Sequence, residues 1–271
     1  MIRANDQVMK SVLLTIGLFA TFTISVAQEV WIQPDRFFYS SGDRISASFV
    51  SGDDFIGEPW GAGNQIANLK FYRSSLVSDL SDSIRHDQKE NLSQVLNADG
   101  THLLALQSDN ILKEFPADTF NLLIKAYELD VVKNQRAKTN SVTSPARVYQ
   151  RIFTKLLFQV GEKRDDTYKK VLGWPVEIVP DRNPASLKVG DQIRFKILFD
   201  GKPVFGVRAK LWNRFDNRTT LQNIYTEQDG TFEARISSPG PWMVTVMKMT
   251  PSKDTGPDWI SYQGSFVFGF D

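Results

Sequence analysis

Cysteine is absent from this 271-residue chain, and histidine occurs only at His86 and His102. The first absence excludes disulfide stapling, thiolate catalysis, thiol-ligated metal and lipid attachment through a thiol. The second leaves no His-Glu-x-x-His pair, and no Gly-x-Ser-x-Gly elbow stands in for it, so zinc or serine hydrolase chemistry has no motif here. Nor does one sign of charge dominate. The 32 basic and 31 acidic residues are interspersed and sum to +1, which removes the electrostatic footprint of a nucleic-acid binder. The expectation is a protein that is not an enzyme, binds no nucleic acid and carries no cofactor, with a transition metal left open.

Long apolar runs are also scarce. The stretch from Val12 to Val26 is broken by Thr15, Thr21, Thr23 and Ser25, follows Arg3 and Lys10, and ends in the small-x-small triplet Ser25-Val26-Ala27. That pattern predicts a signal peptide over residues 1–27, with the mature chain starting at Gln28 in the periplasm or outside the cell. No integral membrane segment is expected after cleavage.

What remains is about 240 residues, enough for two domains and a sizeable core without disulfides. The chain is punctuated by short alternating strands and Gly, Pro, Asp and Asn turns, so the expected class is mainly β, with two β-sandwich-like domains. The first covers 28–160 and carries a helical insertion at about 117–136, where Phe120, Leu123, Ile124 and Tyr127 recur at helical spacing behind Pro116 and Asp118. A charged stretch without apolar period, 161–171, reads as a linker. The second domain, 172–271, opens with the strand Val176-Glu177-Ile178-Val179, a Pro180-Asp181 turn and the strand Gln192 to Phe199. Its count of about seven strands suits an immunoglobulin-like or transthyretin-like sandwich.

Several segments taken in order carry a resemblance: Glu29-Val30-Trp31-Ile32-Gln33-Pro34, Phe55-Ile56-Gly57-Glu58-Pro59, Pro116 to Asn121, Val176 to Pro180, Phe199-Asp200-Gly201-Lys202-Pro203, Gly240-Pro241-Trp242 and Asp258 to Tyr262. Together they resemble an exported bacterial family of unknown function, described as NikM-like periplasmic components associated with nickel or cobalt uptake. The resemblance implies a helix-bearing β-domain followed by a sandwich, in a periplasmic accessory or solute-binding protein whose partner is a membrane transporter or envelope protein. It also implies histidines where this chain has Gln28, Asp53 and Lys248. Gln28 lacks a strong metal donor and can cyclise, so a like-for-like metal site is not expected.

The remaining candidates each have a bland reading. His102 shares a strand face with Leu104 and Leu106, as a packed core residue would, and His86 lies in a polar excursion. Met243, Met247 and Met249 share a face of one strand and would suit soft copper(I) or simply core. Asp53, Asp54 and Glu58 offer hard oxygen donors in a glycine-rich loop, or mere solvation. Arg147 and Arg151, with Lys155, would line a basic stripe if their segment were helical. Trp60 and Tyr262 would suit stacking on a sugar or peptide. The alternative function is thus a cell-envelope interaction module that binds a polysaccharide or protein partner.

Overall fold

A computed structural model describes residues 28–61, 65–86 and 88–270. The signal peptide expected over 1–27 lies outside them. The first half holds β1 (Glu29–Pro34), β2 (Phe38–Tyr39), β3 (Arg44–Asp53), β4 (Ile56–Pro59), β5 (Ile66–Arg73), β6 (Leu76–Asp79), β7 (Leu92–Val95), β8 (Gly100–Ser108) and β9 (Ile111–Phe115). Two helices follow, α1 (Ala117–Ala126) and α2 (Asp130–Lys138), and then the long strand β10 (Ala146–Val160). The second half holds β11 (Val176–Pro180), β12 (Gln192–Phe199), β13 (Lys202–Pro203), β14 (Arg208–Phe215), β15 (Arg218–Tyr225), β16 (Thr231–Arg235), β17 (Gly240–Pro251) and β18 (Trp259–Phe270).

These strands form three layers. The central one is a ten-stranded sheet that runs β15-β14-β17-β18-β10-β8-β5-β6, with β2 and β9 added along β10. One face is covered by the sheet of β1, β3, β4 and β7, which contributes Trp31, Ile45 and Phe49 against Leu104, Leu156, Phe158, Met243 and Val267. The helices cover the rest of that face, where Phe120, Leu123 and Val132 meet Val148, Met247 and Met249. Against the other face lies the sheet of β11, β12, β13 and β16, whose Ile178, Phe195 and Phe232 pack on Phe153, Val244, Val246, Phe266 and Phe268. Successive residues of β17 and β18 therefore enter different cores. That is why these strands read as near-continuous apolar runs rather than as alternation, as strands buried on both faces do.

The mainly β, sandwich-like class is present, and both sandwiches share the central sheet. β10 and β18 pair in parallel from Val148↔Trp259 to Leu156↔Val267, so the sheet crosses the boundary expected at 161–171. The connecting segment itself is held down. Asp165 caps a short 3-10 turn through the Thr167 amide, Thr167 is buried, and its hydroxyl accepts from the Ser74 backbone. Gly161 ends β10 at φ 59, where a Cβ would stand 2.5 Å from the Asp99 carboxylate. The left-handed φ favours glycine at this position, and a Cβ would also push the Asp99 side chain aside.

One helix was expected at 117–136, and two are observed. Pro116 and Asp118 start α1 as expected, but Glu128 takes φ 52 and turns the chain between Tyr127 and Leu129, both of which bury. The apolar period survives the break because those two side chains still face the core. The segment of Arg147, Arg151 and Lys155 is the strand β10 rather than a helix. A spacing of four keeps the three on one strand face, yet their environments diverge from exposed Arg147 to fully buried Lys155.

Candidate functional site

Two strands of the central sheet, β10 and β14, each carry a buried lysine that faces a buried glutamate on an outer sheet, and two buried ion pairs result. Glu29, at the start of β1, meets Lys210 of β14 at 2.8 Å between Oε1 and Nζ. The Tyr127 hydroxyl donates to the same oxygen at 3.3 Å, and the ammonium stands 4.2 Å from the Tyr127 ring centroid. Burial outweighs Lys210 and holds the Glu29 carboxyl above the usual carboxylate range. In the second pair, Lys155 Nζ donates to Glu177 Oε2 at 2.5 Å and to the Lys170 carbonyl at 3.1 Å. Glu177 also accepts from the backbone amides of Leu172, Gly173 and Trp174. This arrangement ties β10 to β11 and fastens the segment between them.

A concave feature lies beside the first pair. A groove of about 500 Å³ runs between the α1–α2 turn, the loop after β13 and the end of β17. Met247, Met249, Leu129 and Val132 contribute apolar surface to it, and exposed Val131 and Phe205 stand on its rim. Arg208 binds Glu128 at 2.8 Å, and the Tyr225 hydroxyl donates to the other oxygen of the same carboxylate. Glu128 thus holds a left-handed backbone conformation, unusual for a residue with a Cβ, while its side chain bridges the helical turn to the second half of the chain.

The sequence candidates do not converge. Met247 and Met249 enter the groove, whereas Met243, on the same strand face, is fully buried in the first core opposite Trp212 of β14. Thr245 and the Glu29–Lys210 pair lie between them. Asp53 is half-buried near Lys210, and burial raises its pKa, while Asp54 and Glu58 are exposed. Among the described residues no group of three or more His, Asp or Glu side chains is placed to hold a metal ion. Lys248 faces the opposite side of the sheet, 4.1 Å above the Phe199 ring, away from Gln28 and Asp53. Arg151 and Tyr262 do meet as cross-strand neighbours, with the guanidinium 5.8 Å from the ring centroid. Trp60 packs by Ile152 on the other face, so it and Tyr262 form no common stacking platform. Arg147 binds through its backbone amide to Asp258.

His102 is 1% exposed between Phe71 and Phe158, both edge-on at 5.2 and 5.4 Å, and neither ring nitrogen has a hydrogen-bond partner among the described residues. Burial, aided by Arg73, lowers its pKa from 6.5 to about 4. The unfolded chain therefore takes up a proton in the pH window between those values that the folded chain does not. Stability should be full above 6.5 and fall as the pH drops toward 4, by up to about 3 kcal/mol. Urea midpoints followed from pH 7 to 4 should show that slope in the native protein and a flatter one in His102→Phe. Equal slopes would mean that His102 titrates normally.

Sequence reasoning missed the two ion pairs and the groove. The signal for the pairs was present: Lys155, Glu177 and Lys210 each interrupt an apolar run, Glu29 directly precedes one, and a charge that must be buried needs a partner. The groove left no such mark, since its three segments lie far apart in the chain.

A β-sandwich protein with a helix-walled groove is the class these features define. The chain belongs to the family of the domain of unknown function DUF4198, whose model matches residues 25–250. No curated protein matches it. Among solved structures, an alpha-2-macroglobulin mutant from Salmonella is similar at 10% identity over 88% of this chain and 14% of that one, with a TM-score of 0.25. The dimeric latent PorU from Porphyromonas gingivalis is similar at 11% identity over 92% of this chain and 21% of that one, with a TM-score of 0.19. The chain thus spans less than a quarter of either.

Proposed function

We propose that this is a non-enzymatic accessory or solute-binding protein of the bacterial cell envelope, linked to metal uptake, and that the groove is where its solute sits. One observation carries the reading. Three distant segments, 127–132, 204–208 and 247–251, are brought together around a concave surface that is apolar inside and bridged at its rim by Glu128, Arg208 and Tyr225. A volume near 500 Å³ suits a small amphipathic molecule. No helix among the described residues is long and apolar enough to cross a membrane. The alternative, an envelope module for a polysaccharide or protein partner, draws on the exposed aromatic rings of Phe205 and Tyr225 at the same groove.

The amphipathic dye 1-anilinonaphthalene-8-sulfonate provides the test. It should bind the native protein at one site, and Val131→Asp together with Phe205→Asp should abolish binding without moving the melting temperature. Both residues are exposed, so the core is untouched. Binding that survives both changes would sink the assignment of the groove.

The link to metal uptake does not require this chain to hold the metal tightly. Nickel and cobalt want several nitrogen or sulfur donors on one ion, and the donors here are dispersed. Titration calorimetry at neutral pH should give dissociation constants no tighter than about 10 μM, or roughly −6.8 kcal/mol. A stoichiometric submicromolar site would contradict this.

A further inference from the structure

The central sheet ends on one side at β15, which pairs with β14 over eight residues without a bulge. The connecting turn, Asp216-Asn217, has φ 49 and 57, the two-residue hairpin geometry that makes Phe215 and Arg218 a hydrogen-bonded pair. At the far end Thr226 donates to Val207 and accepts from Gly206. Even-numbered residues of β15 therefore direct their backbone groups to β14. Thr219, Leu221, Asn223 and Tyr225 direct theirs outward, where no described strand pairs with them.

Such an edge invites pairing, and proteins usually blunt it with lysine, proline, acidic residues or a bulge. From Thr219 to Tyr225 this edge has none of them and no charge at all. The opposite edge of the sheet, β6, is only four residues long and ends in Asp79. The Thr219 hydroxyl also has no hydrogen-bond partner among the described residues.

We propose that β15 is a self-association edge, and that a second copy of this chain pairs its own β15 with it, antiparallel, across a twofold axis at Gln222. Twofold pairing requires outward residues to face outward residues. The register that uses all four places Gln222 opposite Gln222 of the second copy, Leu221 opposite Asn223, Thr220 opposite Ile224 and Thr219 opposite Tyr225. No like charges meet in it. Its outer pairs join a threonine to a β-branched or aromatic residue, which favours cross-strand contact, and amide meets amide at the axis. The neutral sequence that leaves the edge unprotected is what makes it self-complementary, and a charged partner strand would find nothing there to read.

The absence of cysteine makes the register testable. Light scattering of the native protein at about 100 μM should report a mass approaching that of a dimer. Gln222→Cys should form a disulfide-linked dimer in air, because residues facing across a non-hydrogen-bonded pair stand about 4.5 Å apart. Thr220→Cys should not, since its two thiols would be offset by four residues, about 13 Å. Leu221→Lys, which leaves the β14 ladder intact and brings two ammonium groups near the axis, should be monomeric with an unchanged melting temperature. A native protein that is monomeric at that concentration would overturn the proposal, as would equal disulfide yields at 220 and 222.

Discussion

Glu177→Ala should bring the protein close to unfolding under conditions in which the native chain is stable. Glu177 and Lys155 are almost fully enclosed, with side chains 1% and 3% exposed, and the carboxylate is the acceptor for three consecutive amides as well as for the ammonium. Removing it strands a buried cation, a loss of about 3–5 kcal/mol. It also leaves the amides of Leu172, Gly173 and Trp174 without their acceptor, at about 1–3 kcal/mol for each that stays dry. Set against a typical total of about 5–15 kcal/mol, that is most of the reserve. Urea unfolding followed by tryptophan fluorescence should show it, since the Trp174 ring lies 5.4 Å from that of Phe153, tilted to it, and 5.6 Å from the Lys155 ammonium. Lys155→Met combined with Glu177→Leu should recover part of the loss, because two apolar side chains replace two charges and leave neither unpaired. A single-variant cost under about 1 kcal/mol would show that the pair is open to water.

Because the pair fastens the segment between β10 and β11, its loss should be felt by the whole molecule. β10 lies inside the central sheet between β18 and β8, so neither half closes its core without the other's strands. Circular dichroism and fluorescence should therefore report one coincident unfolding transition.

Strands and turns were legible in the sequence because both are local. The Pro180-Asp181 turn punctuates the chain where β11 ends. The helical period of Phe120, Leu123, Ile124 and Tyr127 announced α1. The sharing of the central sheet was not legible, because the parallel register of β10 on β18 joins residues more than a hundred positions apart and no local pattern encodes it. A charged segment such as 161–171 resembles a linker whether it floats or is clamped, and what clamps it is Glu177, outside the segment. The break at Glu128 was hidden for a related reason. Its left-handed backbone is held by Arg208 and Tyr225, about eighty and a hundred residues on, with no glycine to mark it.

Lys210→Met should also destabilise the fold strongly, with a deficit that grows as the pH rises. Lys210 is the cation facing Glu29, whose other hydrogen-bond partners are the Tyr127 and Thr245 hydroxyls and whose charged neighbour Asp53 pushes its pKa the same way as burial. Burial already holds the Glu29 carboxyl above its ordinary range with Lys210 present, and without the ammonium it rises further. A carboxyl whose folded pKa lies above its unfolded value supports the fold fully below the unfolded value, and that support is lost as the pH rises through the folded one. The variant should accordingly be least stable at pH 8, by about 3–5 kcal/mol relative to the native protein, where Glu29 is forced to ionise without a partner. The deficit should shrink as the pH falls toward 5 and the carboxyl takes up a proton. Adding Glu29→Gln to Lys210→Met removes that carboxyl, so the deficit of the double variant should grow less with pH, Asp53 being the carboxylate left beside the site. Thermal melts of the three proteins from pH 5 to 8 decide the matter: a deficit in Lys210→Met that does not grow with pH would mean that Glu29 reaches water once its partner is gone.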